Sequence, residues 1–158
     1  MSIEDDIAFL QRVPSLAVLG REALRILAIG AESRYVHDGM MLFKQGDPAD
    51  GAYVVQEGSF ELGQGNNAND ATTVGPGVLI GELALVAETT RSLTATAREP
   101  STVIRIPRQL FLKMLEGYPD AALRLRDAIA TRVNDTSREL SRVRAGLDGI
   151  VSPQRRAK

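Results

Sequence analysis

The spacing of apolar residues changes twice along the 158-residue chain. In residues 1–33 apolar positions recur every three or four residues, which predicts N-terminal helices. In residues 34–106 the apolar segments are short, alternating or β-branched, and residues typical of turns separate them, which predicts strands. The helical spacing returns in residues 107–150. This order predicts an α+β fold in which an antiparallel barrel or jelly roll lies between N-terminal and C-terminal helices.

The central zone contains six candidate strands and four turn signals. The candidate strands are Met40–Phe43, Ala52–Gln56, Ser59–Leu62, Thr72–Val74, Ser92–Ala97 and Thr102–Ile106. The turn signals are Gly46-Asp47-Pro48, Glu57-Gly58, Gly63–Asp70 and Gly75-Pro76-Gly77. Within them, the polar stretch Gly65–Asp70 is interpreted as a solvated hairpin loop without a ligand role.

The C-terminal zone predicts two helices, the first ending at Gly117 and the second beginning at Pro119-Asp120. Proline is favoured at a helix start, because the missing N–H has no partner there, and an acidic residue faces the positive end of the helix dipole. Apolar residues of the second helix alternate steps of four and three, a pattern typical of a heptad seam. The seam consists of Ile129, Val133, Thr136, Leu140, Val143, Leu147 and Ile150. We expect it to form a parallel homodimer; the alternative is a helix folded back on its own domain. Residues 151–158 are expected to be a flexible basic tail.

Composition excludes several classes of protein. Hydrophobic residues make up 44% of the chain and charged residues 25%, which is typical of a soluble globular domain. The 19 basic and 20 acidic residues give a net charge of −1, so the protein has no general attraction to nucleic acid. Cysteine is absent and His37 is the single histidine, so disulfides and multi-histidine metal sites are excluded. No signal peptide and no apolar run near the roughly 20 residues of a membrane helix is found. We therefore expect a cytoplasmic protein without a membrane segment, a metal or enzymatic activity.

The segment Gly81-Glu82-Leu83-Ala84-Leu85, followed by Arg91-Ser92, contains the candidate binding chemistry. Glycines at and before its start allow the backbone to approach a ligand closely. A helical turn from Leu83 to Ala87 would direct free N–H groups, together with the Arg91 guanidinium, at a phosphate. Glu82 would repel a phosphate but can accept hydrogen bonds from a sugar hydroxyl. A ligand with both ribose and phosphate satisfies both side chains.

Together with Gly46–Gly58 and Gly75-Pro76-Gly77, this segment resembles the cyclic nucleotide-binding domain family across residues 3–145. The resemblance implies an eight-stranded β-roll, followed by the family's B and C helices, and a phosphate-binding cassette that includes Ala84. It also implies that Glu82 contacts the ribose 2′-hydroxyl and Arg91 the cyclic phosphate. Ser92 and the Gly81–Leu83 backbone would add hydrogen bonds.

The second C-terminal helix resembles the dimer helix of catabolite activator-like sensor domains. In those domains a Thr-Ser pair contacts adenine, so the resemblance implies that Thr136 and Ser137 read the base and that the ligand is cAMP, with cGMP as the alternative. Thr136 lies on the apolar seam, and a polar group there needs a partner. It could instead set the register of a coiled coil or bond to a carbonyl one turn back.

Three functions are compatible with these observations. The first is a cyclic nucleotide sensor that signals through its C-terminal helix to an unknown downstream protein, and the second is a regulatory fragment of a transcription regulator. Too few residues follow Ile150 for a helix-turn-helix motif, so we expect no DNA binding by this chain alone. The third is a protein-interaction domain of the same fold without a ligand, which is favoured by Leu93, where the family usually has a small residue.

Overall fold

The computed structural model describes residues 2–64 and 67–135. It opens with three short helices: α1 (Ile3–Gln11), α2 (Pro14–Ala17) and α3 (Arg21–Gly30). Helix α1 begins with a capping box, in which Ser2 and Asp5 satisfy each other's backbone N–H groups. Gly20, at φ 90°, turns the chain into α3, a conformation that favours glycine. The predicted N-terminal helices are therefore confirmed.

Ten strands follow within the described residues. They are β1 (Glu32–Val36), β2 (Met41–Phe43), β3 (Pro48–Ala49), β4 (Gly51–Glu57), β5 (Phe60–Gln64), β6 (Asn67–Val74), β7 (Leu79–Ile80), β8 (Thr89–Thr90), β9 (Thr94–Ala97) and β10 (Ser101–Pro107). One four-stranded sheet has the order β1-β10-β4-β7, a second has the order β2-β9-β5-β6, and β3 pairs with β8 in a two-stranded ribbon. All of these pairs are antiparallel. The α+β fold with an antiparallel β-roll is thus confirmed, and its eight sheet strands are accompanied by two more in the ribbon.

The interpretation of Gly65–Asp70 as a loop is wrong for residues 67–70. Strand β6 begins at Asn67, which pairs with Gln64, the last residue of β5. β6 is an edge strand of its sheet, where backbone pairing on one side suffices and apolar side chains are not required. Strand β1, which exposes four of its five residues, is not predicted from the sequence, and neither are the two-residue strands β3, β7 and β8. Two residues are too few for alternation to be visible.

Two further helices, α4 (Arg108–Gly117) and α5 (Pro119–Asp135), confirm the predicted boundaries at Gly117 and Pro119. Phe111 and Met114 of α4 are buried in one core cluster together with the N-terminal helices, whereas Phe60 lies in a second cluster inside the roll. The Arg124 guanidinium donates hydrogen bonds to the carbonyls of Val18 and Leu19 at 2.8 and 2.7 Å, which ties α5 to the N-terminal helices. The described helices thus share one core cluster with residues of strands β4 and β10.

The heptad seam is only partly covered by these residues. Ile129 and Val133 lie within α5, whereas the seam from Thr136 to Ile150 and the predicted tail lie outside the described residues. Among the described helices, none has the length and apolar character needed to cross a membrane.

Candidate functional site

The segment predicted to carry the chemistry forms a loop and a short 3-10 helix directly after β7. Gly81 adopts a left-handed conformation (φ 79°, ψ 35°), and the 3-10 helix spans Glu82–Leu85. The backbone N–H of Ala84 bonds to Gly81 O at 3.1 Å, and that of Ala87 to Leu83 O at the same distance, so the predicted helical turn is confirmed. Ala84 and Leu85 are buried and anchor the turn, whereas Leu83 is exposed.

The backbone of Arg91 is held from both sides by the turn at Gly46 and Asp47. Its N–H donates to Asp47 O at 2.8 Å, and its carbonyl accepts from the N–H of Gly46 at 2.8 Å. The preceding ribbon, in which Pro48 pairs with Thr90, continues this connection. The turn predicted at Gly46-Asp47-Pro48 therefore fixes the backbone position of Arg91.

The Arg91 side chain lies in the interior of the site. It is 6% exposed, and Nη2 donates to the carbonyl of Gly51 at 2.8 Å. Nη1 lies against Gly81, because a Cβ built on that glycine would be 2.5 Å away from it. The guanidinium carbon lies 4.4 Å from the ring centroid of Phe43 and 5.5 Å from that of Tyr53. Glu82 follows Gly81 in the chain, so the two side chains singled out from the sequence belong to one loop.

The charge of Arg91 has no ionic partner within the described part of the chain: the ion pairs formed there involve other residues. Burial lowers the pKa of Arg91, an effect that Tyr53, Asp50 and Asp47 oppose and Arg105 reinforces. The nearby Asp50 carboxylate is instead paired with Arg105, at 2.9 Å. Arginine remains protonated in proteins, and a buried charge is costly without a counter-ion. This arrangement therefore favours the binding of an anion.

Glu82 is half-buried and faces the N-terminal helices. Its Oε1 accepts a hydrogen bond of 3.3 Å from the hydroxyl of Ser15 in α2. A carboxylate can accept several hydrogen bonds, so this contact leaves acceptor capacity for ligand hydroxyls. Glu82 thereby connects the loop to a helix that lies 67 residues away in the chain, a contact that local sequence patterns do not predict.

Arg108, at the start of α4, fastens the 3-10 helix to the roll. Its Nη1 donates to the carbonyls of Ala49, Ala84 and Ala87 at 2.9, 3.0 and 3.1 Å. The roles of this residue and of Ser15, Phe43, Gly51 and Tyr53 were not predicted from the sequence. One signal in the sequence could have indicated Arg108. The helix dipole disfavours a cation in the first turn, so an arginine at that position is expected to form contacts outside its own helix.

The structure thus brings Gly81, Glu82, Leu83, Ala84 and Arg91 together in one site. Ser92 follows Arg91 and is exposed. Thr136 and Ser137, the predicted base-reading residues, lie outside the described residues. Within residues 2–64 and 67–135, no group of three or more His, Cys, Asp or Glu residues is arranged to hold a metal ion.

Comparison with known proteins agrees with this geometry. Residues 33–118 match the cyclic nucleotide-binding domain family. A cyclic nucleotide-binding-like protein from Brucella abortus is 40% identical, with a TM-score of 0.62, and the match covers 71% of this chain and 98% of that one. The N-terminal domain of a transcriptional regulator from Streptomyces coelicolor is 30% identical, with a TM-score of 0.74, over 84% of this chain and 94% of that one.

A longer relative is also similar to this chain. An uncharacterized NTE family protein from Mycobacterium tuberculosis is 31% identical over 90% of this chain, and the matched region spans 24% of that protein. The family match, the two solved structures and the buried arginine beside a left-handed glycine all lead to one assignment. The chain belongs to the cyclic nucleotide-binding domain family.

Proposed function

We propose that this chain is a regulatory module that binds a cyclic mononucleotide, preferentially cAMP, in the loop formed by Gly81–Ala84 and Arg91. The observation that carries the proposal is Arg91: a guanidinium that is 6% exposed and has no ionic partner in the described part of the chain. A cyclic phosphate, with one negative charge and two free oxygens, would supply the missing counter-charge. Hydrogen bonds between a guanidinium and a phosphate are charge-assisted and are therefore among the stronger ones.

In the proposed complex, Arg91 holds the cyclic phosphate and Glu82 accepts a hydrogen bond from the ribose 2′-hydroxyl. The backbone N–H groups at the start of the 3-10 helix, from Gly81 to Leu83, and the exposed Ser92 would donate further hydrogen bonds to the phosphate. The left-handed Gly81 supports this role because it has no Cβ, so the ligand and Arg91 can both approach the loop closely.

Signalling is proposed to run through the C-terminal helix. A ligand that touches both the loop and this helix would bind one helix position more tightly than another, and only that difference in affinity shifts the equilibrium. In this proposal Thr136 and Ser137 contact adenine, and the seam that begins with Ile129 and Val133 forms a homodimer. The proposal also includes a cytoplasmic location and a downstream partner protein.

Isothermal titration calorimetry with cAMP, cGMP and a cyclic dinucleotide tests the proposal. A micromolar dissociation constant, about −8 kcal/mol, is expected for cAMP. Arg91→Ala should weaken binding at least ten-fold, because hydrogen bonds to charged groups contribute roughly 1.5–3 kcal/mol. The matched control is Arg98→Ala, since Arg98 is exposed and its one ion pair within residues 2–64 and 67–135 is with Glu61, at 3.4 Å. Equal affinities for the wild type and Arg91→Ala would refute the assignment.

A second candidate is a ligand-independent interaction domain. It is favoured by the contacts that Arg91 and Glu82 already make with the protein, to Gly51 and Ser15 respectively. The same titration separates the two candidates, because a ligand-independent interaction domain should give no heat of binding with any of the nucleotides. We propose no catalytic role for this domain. The matched region spans 24% of the mycobacterial relative, so no activity of that longer protein is proposed for this chain.

A further inference from the structure

The Arg91 guanidinium lies against two aromatic rings, one from each of the four-stranded sheets. Phe43 lies in β2 of one sheet and Tyr53 in β4 of the other. The two rings are stacked, with centroids 6.0 Å apart and an angle of 29° between their planes. The Arg91 guanidinium carbon lies 4.4 Å from the centroid of Phe43 and 5.5 Å from that of Tyr53, within the range of cation–π attraction.

This way of holding a cation differs chemically from an ion pair. A carboxylate partner would cancel the charge of the guanidinium and occupy its N–H groups. An aromatic face attracts the cation through its quadrupole and leaves both the net charge and the N–H donors available. Of the guanidinium contacts, the hydrogen bond from Nη2 to Gly51 O uses one of the five N–H donors of an arginine.

Rigid support also affects affinity. A long arginine side chain that is free to rotate loses entropy when it is fixed by a ligand, and preorganisation avoids that cost. Tyr53 is 6% exposed and packs in the core of the roll, and Phe43 packs against the same core, so neither ring is free to leave the guanidinium.

We propose that Phe43 and Tyr53 are positioning residues that hold Arg91 in place for an anionic ligand while preserving its charge and donors. This inference rests on the proposed function, because it assigns to the two rings a part in nucleotide affinity. The rings hold the guanidinium through their π-faces, so the hydroxyl of Tyr53 is not required for this role.

A double-mutant cycle tests the proposal, with the affinity for cAMP measured by calorimetry. Phe43→Leu and Tyr53→Leu should each weaken cAMP binding about five-fold, in keeping with a buried cation–π contact. The ring-preserving variants Phe43→Tyr and Tyr53→Phe should stay within about two-fold of the wild type. In the Arg91→Ala background, Phe43→Leu should produce no further loss, because the group that the ring holds is absent.

Thermal unfolding of each variant shows whether it is folded, and Phe43→Met, which conserves volume but lacks a π-face, replaces Phe43→Leu if that variant unfolds. Equal losses from Phe43→Leu in the wild-type and Arg91→Ala backgrounds would overturn the positioning role and leave the proposed function standing. If Phe43→Met binds cAMP as tightly as the wild type, the positioning role is likewise overturned and the proposed function still stands. The proposed function itself fails on a different result, namely unchanged binding in Arg91→Ala alone.

Discussion

Gly81 and Arg91 are in direct contact: a Cβ on Gly81 would lie 2.5 Å from Nη1 of the arginine. Gly81 also has φ 79°, a backbone conformation that residues other than glycine rarely adopt. The missing side chain therefore serves two purposes, since it permits the turn into the 3-10 helix and makes room for the guanidinium. The loop and the arginine are built as one unit, although nine residues of chain separate them in the sequence.

Replacing Gly81 should weaken both folding and binding. Gly81→Ala is expected to lower the free energy of unfolding by about 1–2 kcal/mol through the left-handed backbone. It should also reduce cAMP affinity about ten-fold, because the new methyl group displaces Nη1. Urea unfolding and calorimetry measure the two effects. Gly75→Ala is the matched control, since a Cβ there would meet only Gly58 O at 3.9 Å. Wild-type affinity in Gly81→Ala would contradict the close approach on which the site depends.

Arg108 should contribute to stability through the three carbonyls that it binds. Arg108→Ala leaves the carbonyls of Ala49, Ala84 and Ala87 without this donor, and unsatisfied buried polar groups cost about 1–3 kcal/mol. We expect the free energy of unfolding to fall by that amount in urea titrations. Arg34→Ala should stay within about 0.5 kcal/mol of the wild type, because Arg34 is exposed and its contact with Glu32 spans 3.9 Å. Similar stabilities for the two variants would show that the contacts of Arg108 are dispensable.

The base preference provides a test of the C-terminal helix. The double variant Thr136→Val, Ser137→Ala should bring the affinities for cAMP and cGMP closer together, because it removes the two hydroxyls proposed to contact adenine. Competition titrations against a fluorescent cyclic nucleotide measure the ratio. Ser141→Ala serves as the control, since it removes a hydroxyl from the same predicted helix without touching the pair. If the cAMP-to-cGMP affinity ratio equals that of the wild type, Thr136 and Ser137 are not part of the site.

The predicted seam gives an independent test of assembly. Light scattering of the wild type should show a dimer at micromolar concentration, and Leu140→Glu with Val143→Glu should give monomers, because carboxylates at a heptad seam repel each other and resist burial. Arg138→Glu with Ala145→Glu adds the same side chains on the opposite face of the heptad and should remain dimeric. A wild-type protein that is monomeric at high micromolar concentration would contradict the homodimer.

Much of the fold follows from local sequence. The capping Ser2, Pro14 at the start of α2 and Pro119 at the start of α5 act within a few residues of their own position, so helix boundaries can be predicted from such signals. The turn at Glu57-Gly58 is equally local, with Gly58 at φ 90°. Strand β1 and the first part of β6 were not predicted, because strand pairing is decided by partners elsewhere in the chain and both are edge strands, which pair on one side only.

Local sequence is enough to select Glu82 and Arg91 on one glycine-rich segment, in a chain that has no cysteine and a single histidine. The remaining features depend on how distant segments come together: Arg91 is buried against Phe43 and Tyr53, Gly51 accepts its hydrogen bond, and Asp50 pairs with Arg105. These contacts join residues from both sheets and the ribbon between them. The order and register of antiparallel strands determine which side chains meet, and a single sequence read locally does not specify either.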